Sequence, residues 1–162
     1  MTDDDGSSDI MEGIDDMEWD ESKAVHVSVS KLGEYKNERQ LRAFAKKYAD
    51  QFVAGQKITI GSTGNTVLIS QESVDHSFHI AKRHTDTFLS ITELPELLKK
   101  ATKLAEGKDK HGRSFVRAME IYQTPVEIRG KKYIAEMVIL HGIAEHPVLG
   151  TARVLRHQKL KD

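Results

Sequence analysis

The chain has 162 residues and no cysteine, which allows one folded domain and excludes disulfides, thiolate chemistry and cysteine-type zinc sites. Its formal net charge of −1 hides two opposite parts: residues 1–22 hold ten acidic side chains and no lysine or arginine, and the remainder carries 24 basic against 15 acidic residues. No apolar run approaches the roughly 20 residues of a membrane span and none resembles a signal peptide, so we expect a cytoplasmic protein, or one delivered into a host cytoplasm.

The acidic arm, residues 1–22, has few apolar groups and a high charge density, so we expect it to be disordered. Its apolar side chains nevertheless follow roughly helical spacing: Ile10, Met11, Ile14, Met17 and Trp19. The arm is therefore also a candidate to fold against a partner protein or back onto the basic body. We expect a single domain over residues 23–158 and a frayed tail over residues 159–162.

The first half of the body reads as a strand followed by a helix. Ala24–Val29 alternates in the strand manner, with three valines on one side. Asn37 begins the clearest helix, with Gln40 placed to complete a capping box and Gly55 as a terminator. The apolar positions of this helix recur every three or four residues and form one stripe: Leu41, Phe44, Ala45, Tyr48, Ala49 and Phe52.

A hairpin and a second helix follow. Lys57–Ser62 and Thr66–Ser70 should pair across a turn that contains Gly64 and Asn65. Residues 71–86 are ambiguous between a short helix and an ordered loop. The spacing from Ile91 to Ala105 predicts an amphipathic helix that ends at Gly107.

The rest of the chain has strand character. The expected strands are Phe115–Tyr122, Val126–Ile128, Lys132–Leu140 and Val148–Arg156, and the second and third should pair across a turn at Arg129-Gly130-Lys131. Neighbours joined by turns usually pair antiparallel. The sequence therefore predicts an α+β fold in which two helices pack on an antiparallel sheet, made of one hairpin plus a three- to four-stranded meander.

The segment from about Ala43 to Arg156 resembles domains of polyvalent proteins from phages and mobile elements, described as barnase–EndoU–colicin–RelE-like (BECR) nuclease domains. The resemblance rests on the runs FVAGQKITI, STGNTVLISQES, HIAKRHTDTFLSITELPELLKKA and YQTPVEIRGKKYIAEMVI. It implies helices followed by a four-stranded antiparallel sheet, which agrees with the outline above. It also implies that the partner is RNA, contacted through its phosphate backbone, and that no cofactor is needed. Whether the domain cleaves RNA or only binds it is left open by these motifs.

Three candidate catalytic residues, His79, Lys82 and His84, lie in a polar cluster over residues 76–84. RNA cleavage without a metal needs a base for the 2′-hydroxyl, an acid for the leaving 5′-oxygen and cations for the developing charge. Histidine titrates near neutrality and suits either proton role. A solvated basic loop is the alternative. A zinc site that adds His76 is another, but the spacing is not the zincin pattern, so we expect no metal.

In the strand half, the resemblance favours Arg117, Thr151 and Arg153 as catalytic groups beside His84. Exposed strand residues in ion pairs are the alternative for these positions. Other groups of this half that can do acid–base chemistry are Glu120, Tyr122, Lys132, Glu136, His141 and His146. Nucleic-acid contacts are expected from basic side chains, with solubility alone as the alternative: Arg39, Arg42, Lys46, Lys47 and Arg83.

Two hypotheses remain open at the level of function. In the first, the domain binds RNA and cleaves it, and the acidic arm screens the basic site as an internal polyanion mimic. In the second, the fold is a non-enzymatic interaction module, and the apolar stripe of the arm is the ligand of another protein. A nuclease should gather His84, Lys82 and a strand arginine in one cleft, whereas a docking module should expose an apolar patch.

Overall fold

The computed structural model describes residues 16–108, 117–142 and 147–156. Residues 1–15 of the acidic arm, the first residues of the strand expected from Phe115, and the tail over residues 159–162 lie outside this description. Within it, no helix combines the length and the apolar character that crossing a membrane requires.

The described residues contain four α-helices, not the two expected: α1 is Glu38–Phe52, α2 is Gln71–Ala81, α3 is Thr85–Ile91 and α4 is Leu94–Lys99. The predicted cap of α1 is confirmed, because Asn37 Oδ1 accepts from the amide of Gln40 at 2.9 Å. The Gln40 side chain bonds the amide of Lys36 at 2.6 Å, one residue upstream of the position that a capping box requires.

The ambiguous segment after the first hairpin is helical. Ser70 caps α2, since its hydroxyl accepts from the amide of Ser73 at 3.1 Å. The helix ends at Lys82, which adopts a positive φ of 58°. The segment therefore forms a helix, and its last two residues already belong to α3.

The prediction of one helix from Ile91 to Ala105 is wrong. The chain ends α3 at Ile91 and α4 at Lys99, and then runs extended over Thr102–Gly107. This last segment pairs antiparallel with a strand that comes later in the chain, for example Ala105 with Ile121. A partner strand satisfies its backbone groups, and this tertiary pairing overrides the helical spacing of the side chains.

Seven strands form one sheet within the described residues. Their order is β1-β5-β6-β7-β3-β2, with β4 also paired to β5. In chain order they are β1 Val25–His26, β2 Lys57–Thr59, β3 Thr66–Leu68, β4 Thr102–Gly107, β5 Ala118–Ile128, β6 Lys131–His141 and β7 Val148–Arg156. The predicted β2–β3 hairpin is confirmed, and β5, β6 and β7 pair antiparallel as consecutive neighbours.

The sheet is mixed, so the expectation of a wholly antiparallel sheet is wrong. β1 pairs parallel with β5, and β3 pairs parallel with β7. The break expected between Tyr122 and Val126 is also absent, because β5 continues through Pro125. Proline lacks a backbone N–H, and it falls where the β4 pairing has ended at Gln123 and the β1 pairing has not yet begun.

The helices cover one face of the sheet, where β5, β6 and β7 contribute buried side chains such as Tyr122, Met137 and Ala152 to the main core. The opposite face holds a smaller apolar cluster that includes Ile121 and Val138. Strand alternation explains the split, since paired residues of neighbouring strands point to the same face.

The end of the acidic arm lies on this opposite face. The amide of Met17 donates to Gln123 Oε1 at 3.0 Å, and Gln123 Nε2 donates to Asp16 Oδ1 at 3.2 Å. Lys132 Nζ lies 4.9 Å from the centre of the Trp19 ring. These contacts attach residues 16–19 to β5 and β6, away from the helices.

Candidate functional site

The densest group of ionisable side chains on the helix-covered face surrounds Glu120. Its Oε1 accepts from the Tyr122 hydroxyl at 2.8 Å and lies 3.0 Å from His141 Nε2. Its Oε2 lies 3.1 Å from Lys103 Nζ. We call Glu120, Tyr122, His141 and Lys103 the Glu120 cluster.

Strand register brings the Glu120 cluster together. Glu120 and Tyr122 alternate on β5, Lys103 pairs with Tyr122 across the β4 edge, and His141 ends β6 beside the start of β5. The loop of the β2–β3 hairpin closes the group from above the sheet, because the Thr63 hydroxyl lies 3.4 Å from the Tyr122 oxygen. Residues from three strands and one loop thus meet at one end of the sheet.

The cluster combines a buried carboxylate with partners that reach solvent. The side chain of Glu120 is 10% exposed, against 20% for His141 and 31% for Lys103. Burial alone would raise the pKa of Glu120, but the bonds from His141, Tyr122 and Lys103 hold it below its usual value. Burial raises the pKa of the Tyr122 hydroxyl. Near neutral pH, Glu120 is therefore an anion and Tyr122 a hydrogen-bond donor.

A second group, the His84 cluster, lies at the other end of the same face. Asp86 accepts from Arg129 Nε at 2.9 Å and from the Tyr133 hydroxyl. His84 Nδ1 lies 2.6 Å from the Thr87 hydroxyl, and its ring meets the Tyr133 ring edge-on at 6.1 Å. The His84 cluster comprises these five residues.

The arginine of the His84 cluster also bonds a carboxylate of α1. Arg129 Nη1 donates to Glu38 Oε2 at 2.8 Å, which lowers the pKa of Glu38 and raises that of Arg129. Arg42 donates to the Thr85 hydroxyl at 3.1 Å and so borders the same cluster. Because two carboxylates neutralise Arg129, this end of the sheet has the character of a structural clamp between α1, α3 and the β5–β6 turn.

The structure distributes the predicted catalytic residues over three places. His79, Lys82 and His84 are exposed: His79 lies in the last turn of α2, and the other two lie in the turn between α2 and α3. Arg117 lies beside the Glu120 cluster, since its amide donates to the His141 carbonyl at 2.8 Å.

The two predicted residues of β7 lie on the opposite face. Arg153 pairs with buried Glu136, from Nη2 to Oε1 at 3.3 Å, and Thr151 is buried on the same face. His84, Arg117 and Arg153 are therefore not brought into one cleft.

The predicted nucleic-acid contacts on the helices differ in their surroundings. Arg39, Lys47 and Arg83 are exposed. Lys46 is held by Asp50 at 2.8 Å and by Asp75 at 3.3 Å. It is therefore the least available of these cations for a phosphate.

Sequence reasoning named Glu120, Tyr122 and His141 only as individual polar groups and did not name Lys103. A usable signal was present, because Glu120 and Tyr122 alternate with the apolar residues Met119 and Ile121 of β5. Lys103 was missed because the sequence assigned it to the helix predicted from Ile91 to Ala105, and not to a strand of the sheet. Among the described residues, no three histidine, aspartate or glutamate side chains form a possible metal site, so the zinc alternative on His76, His79 and His84 finds no ligand set.

Comparison with known proteins gives one match. The model of a domain family, large polyvalent protein-associated domain 3, matches residues 36–141. The matched segment starts just before α1 and ends at His141, so it contains both clusters. No curated protein and no solved structure matches the chain.

Proposed function

The chain belongs to the large polyvalent protein-associated domain 3 family, and from this premise we propose that it is a BECR-like domain that binds RNA and cleaves it without a metal ion. The resemblance seen in the sequence supports the nuclease class. The observation that carries the proposal is the Glu120 carboxylate, held within 3.1 Å of an ammonium, an imidazole and a phenol. Ionisable groups packed in this way are costly to bury and are typical of sites that transfer protons.

The proposed reaction assigns one role to each charged group. Glu120 accepts the proton of the RNA 2′-hydroxyl, whose oxygen forms a bond to the neighbouring phosphorus. The bond from phosphorus to the 5′-oxygen breaks, and His141 donates a proton to that leaving oxygen. Lys103 opposes the negative charge that develops on the phosphoryl oxygens. The products are a 2′,3′-cyclic phosphate and a free 5′-hydroxyl.

Basic residues outside the Glu120 cluster would hold the RNA chain. The Arg117 amide donates to the His141 carbonyl, and in this proposal the exposed Arg117 guanidinium binds the reacting phosphate. The exposed residues Lys82, Arg83 and Arg39 of the helical side would bind phosphates away from the reaction. In this proposal His79 and His84 belong to the same binding surface and have no part in proton transfer.

The test compares two histidine variants on one substrate. The full chain is incubated in chelator with a fluorescently labelled single-stranded RNA, beside His141→Ala and the matched variant His84→Ala. We expect His141→Ala to lower the cleavage rate by about 10²- to 10⁴-fold, since it removes the proton donor. His84→Ala should keep most of the rate. Circular dichroism checks that both variants are folded.

Two results would overturn the proposal. An unmodified chain that leaves the RNA intact, while folded and pure, removes the nuclease function. Loss of cleavage in His84→Ala with a normal rate in His141→Ala moves the chemistry to the α2–α3 turn. Mass spectrometry of the products adds an independent check, because fragments that end in a 5′-phosphate and a free 3′-hydroxyl would contradict attack by the 2′-hydroxyl and the cyclic phosphate.

A further inference from the structure

Helix α1 carries a second apolar stripe that the core buries only in part. Leu41, Ala45 and Ala49 face the core and are fully buried. Phe44, Tyr48 and Phe52 occur at the same spacing of four but line a surface cavity of about 250 Å³. The single stripe expected from the sequence is thus two stripes, and only one of them is fully buried.

The outer stripe ends in an exposed ring. Phe52 is 52% exposed, and Tyr35 at 40% is the other large apolar side chain left exposed among the described residues. The Phe52 and Tyr48 rings pack against each other with centroids 4.9 Å apart. Phe52 of this aromatic pair therefore stays open to solvent and can contact a ligand.

Cationic and amide groups border the aromatic pair. Lys31, Lys47 and Gln51 line the cavity, and no acidic residue does so among the described ones. Lys31 Nζ lies 4.9 Å from the centre of the Tyr48 ring and is also bound by Glu93. Lys47 lines the cavity and is exposed on α1, so its ammonium group is accessible to a ligand.

This combination fits a nucleotide. An aromatic face stacks on a base, an amide bonds a base edge, and an ammonium binds a phosphate. A cavity of about 250 Å³ is smaller than the roughly 300–1,000 Å³ of sites for drug-sized ligands, which suits one base. No acidic residue lines the cavity among the described ones, and the body of the chain is positively charged. Both facts favour a polyanion such as a nucleic acid over a protein partner.

We propose that this cavity is a stacking pocket for one base of single-stranded RNA. Phe52 provides the stacking surface, Gln51 bonds the base edge and Lys47 binds the adjacent phosphate. The inference deepens the proposed function, since its choice of RNA rests on that function. It adds a site, remote from the Glu120 cluster, that holds the chain by a base as well as by its phosphates.

The experiment measures binding without cleavage. Fluorescence anisotropy follows a labelled single-stranded DNA, which lacks the 2′-hydroxyl that cleavage needs. We expect Phe52→Ala to weaken binding by roughly 5- to 150-fold, the usual loss for one stacked base. Tyr35→Ala is the matched control, because it removes an exposed ring that does not line the cavity, and it should bind normally. Lys47→Ala should weaken binding and reduce its dependence on salt.

Two further probes separate stacking from charge. An oligonucleotide of the same length without bases should bind the unmodified chain and Phe52→Ala equally. A duplex should also be insensitive to Phe52→Ala, because its bases are already stacked on each other. Equal affinity of the unmodified chain and Phe52→Ala for the single strand would overturn the proposal and leave the cavity as a protein-docking surface.

The outcomes distinguish this inference from the proposed function. A chain that binds single strands through Phe52 but never cleaves RNA would remove the nuclease function and keep the pocket. A chain that needs His141 for cleavage, and whose binding to single strands is unchanged by Phe52→Ala, would keep the nuclease function and remove the pocket.

Discussion

At the scale of single residues, the buried charge of Asp86 gives a direct prediction about the stability of the fold. Its side chain is 3% exposed and its charge is compensated by Arg129 and Tyr133. Replacing it by Asn keeps the shape but leaves the Arg129 guanidinium with Glu38 as its remaining carboxylate partner. We expect Asp86→Asn to lower the free energy of unfolding by roughly 2–4 kcal/mol, measured by urea denaturation.

The matched control for Asp86 is the other partner of the same arginine. Glu38 is 52% exposed, so water can stabilise the Arg129 charge when the Glu38 carboxylate is removed. Glu38→Gln should therefore cost less than about 1 kcal/mol. An equal loss of unfolding free energy in Asp86→Asn and Glu38→Gln would contradict this prediction, which holds that the buried ion pair of Arg129 stabilises the fold more than the exposed one.

Glu120 makes a pH-dependent contribution whose sign follows from its pKa. The bonds to His141, Tyr122 and Lys103 outweigh burial and lower this pKa in the folded state. The unfolded chain therefore takes up the proton first as the pH falls, and the stabilisation present near neutrality is lost through the folded pKa. Glu120→Gln should cost about 2 kcal/mol at neutral pH. The difference should shrink as urea titrations move from about pH 7 to about pH 3, below the ordinary carboxyl pKa.

A constant difference between Glu120→Gln and the unmodified chain across that range would contradict the assignment of an ionised, hydrogen-bonded carboxylate. Tyr122→Phe provides a second measure, because it removes one donor and leaves the carboxylate in place. The loss of unfolding free energy in Tyr122→Phe should also become smaller as the pH is lowered, because a protonated carboxyl gains less from that donor.

The same residues show where sequence reasoning ends. Glu120 and His141 are recognisable as acid–base groups, but they are 21 positions apart and meet only through the β5–β6 register. Lys103 reaches them across another strand pair. His84 attracted attention because histidines and basic residues surround it in the sequence, whereas its neighbours in space are Tyr133 and Thr87. A cluster of residues that are adjacent in sequence can be recognised from the sequence. A cluster that forms only when strands pair cannot be recognised in this way.

At the scale of elements, local chemistry was predictable and long-range pairing was not. The Asn37 cap, the β2–β3 hairpin and the turn at Arg129-Gly130 depend on a few neighbouring residues, and each is present. Gly130 has a φ of 79°, which explains why glycine stands there. The β4 strand and the two parallel pairs depend on partners far along the chain, and these are the elements that the sequence assigned wrongly or missed.

The end of the acidic arm behaves as one more element of the fold. Through Asp16, Met17 and Trp19 it contacts the face of the sheet that the helices leave uncovered. Gln123, which receives two of these contacts, is fully buried. The arm therefore contains a segment that packs on the sheet, over residues 16–19.

At the scale of the whole molecule, the separation of charge predicts how the chain meets a polyanion. Six acidic residues precede the packed segment and can be changed to amides while Asp16, Met17 and Trp19 are kept: Asp3, Asp4, Asp5, Asp9, Glu12 and Asp15. We expect this variant to bind single-stranded RNA more tightly at low salt, because less negative charge opposes the basic body. Anisotropy titrations should show the gain disappearing toward about 1 M salt, where the screening length falls to about 3 Å.

Deletion of residues 1–22 is the companion variant, since it removes the same charges together with the packed segment. It should show the same gain in affinity at low salt and, in addition, a lower free energy of unfolding, by about 1–3 kcal/mol for the lost hydrogen bonds of Gln123. An affinity that neither variant changes would end the idea of a polyanion mimic. A gain in the deletion alone would place the screening in residues 16–22, on the sheet face opposite the Glu120 cluster, and would move the RNA path to that face.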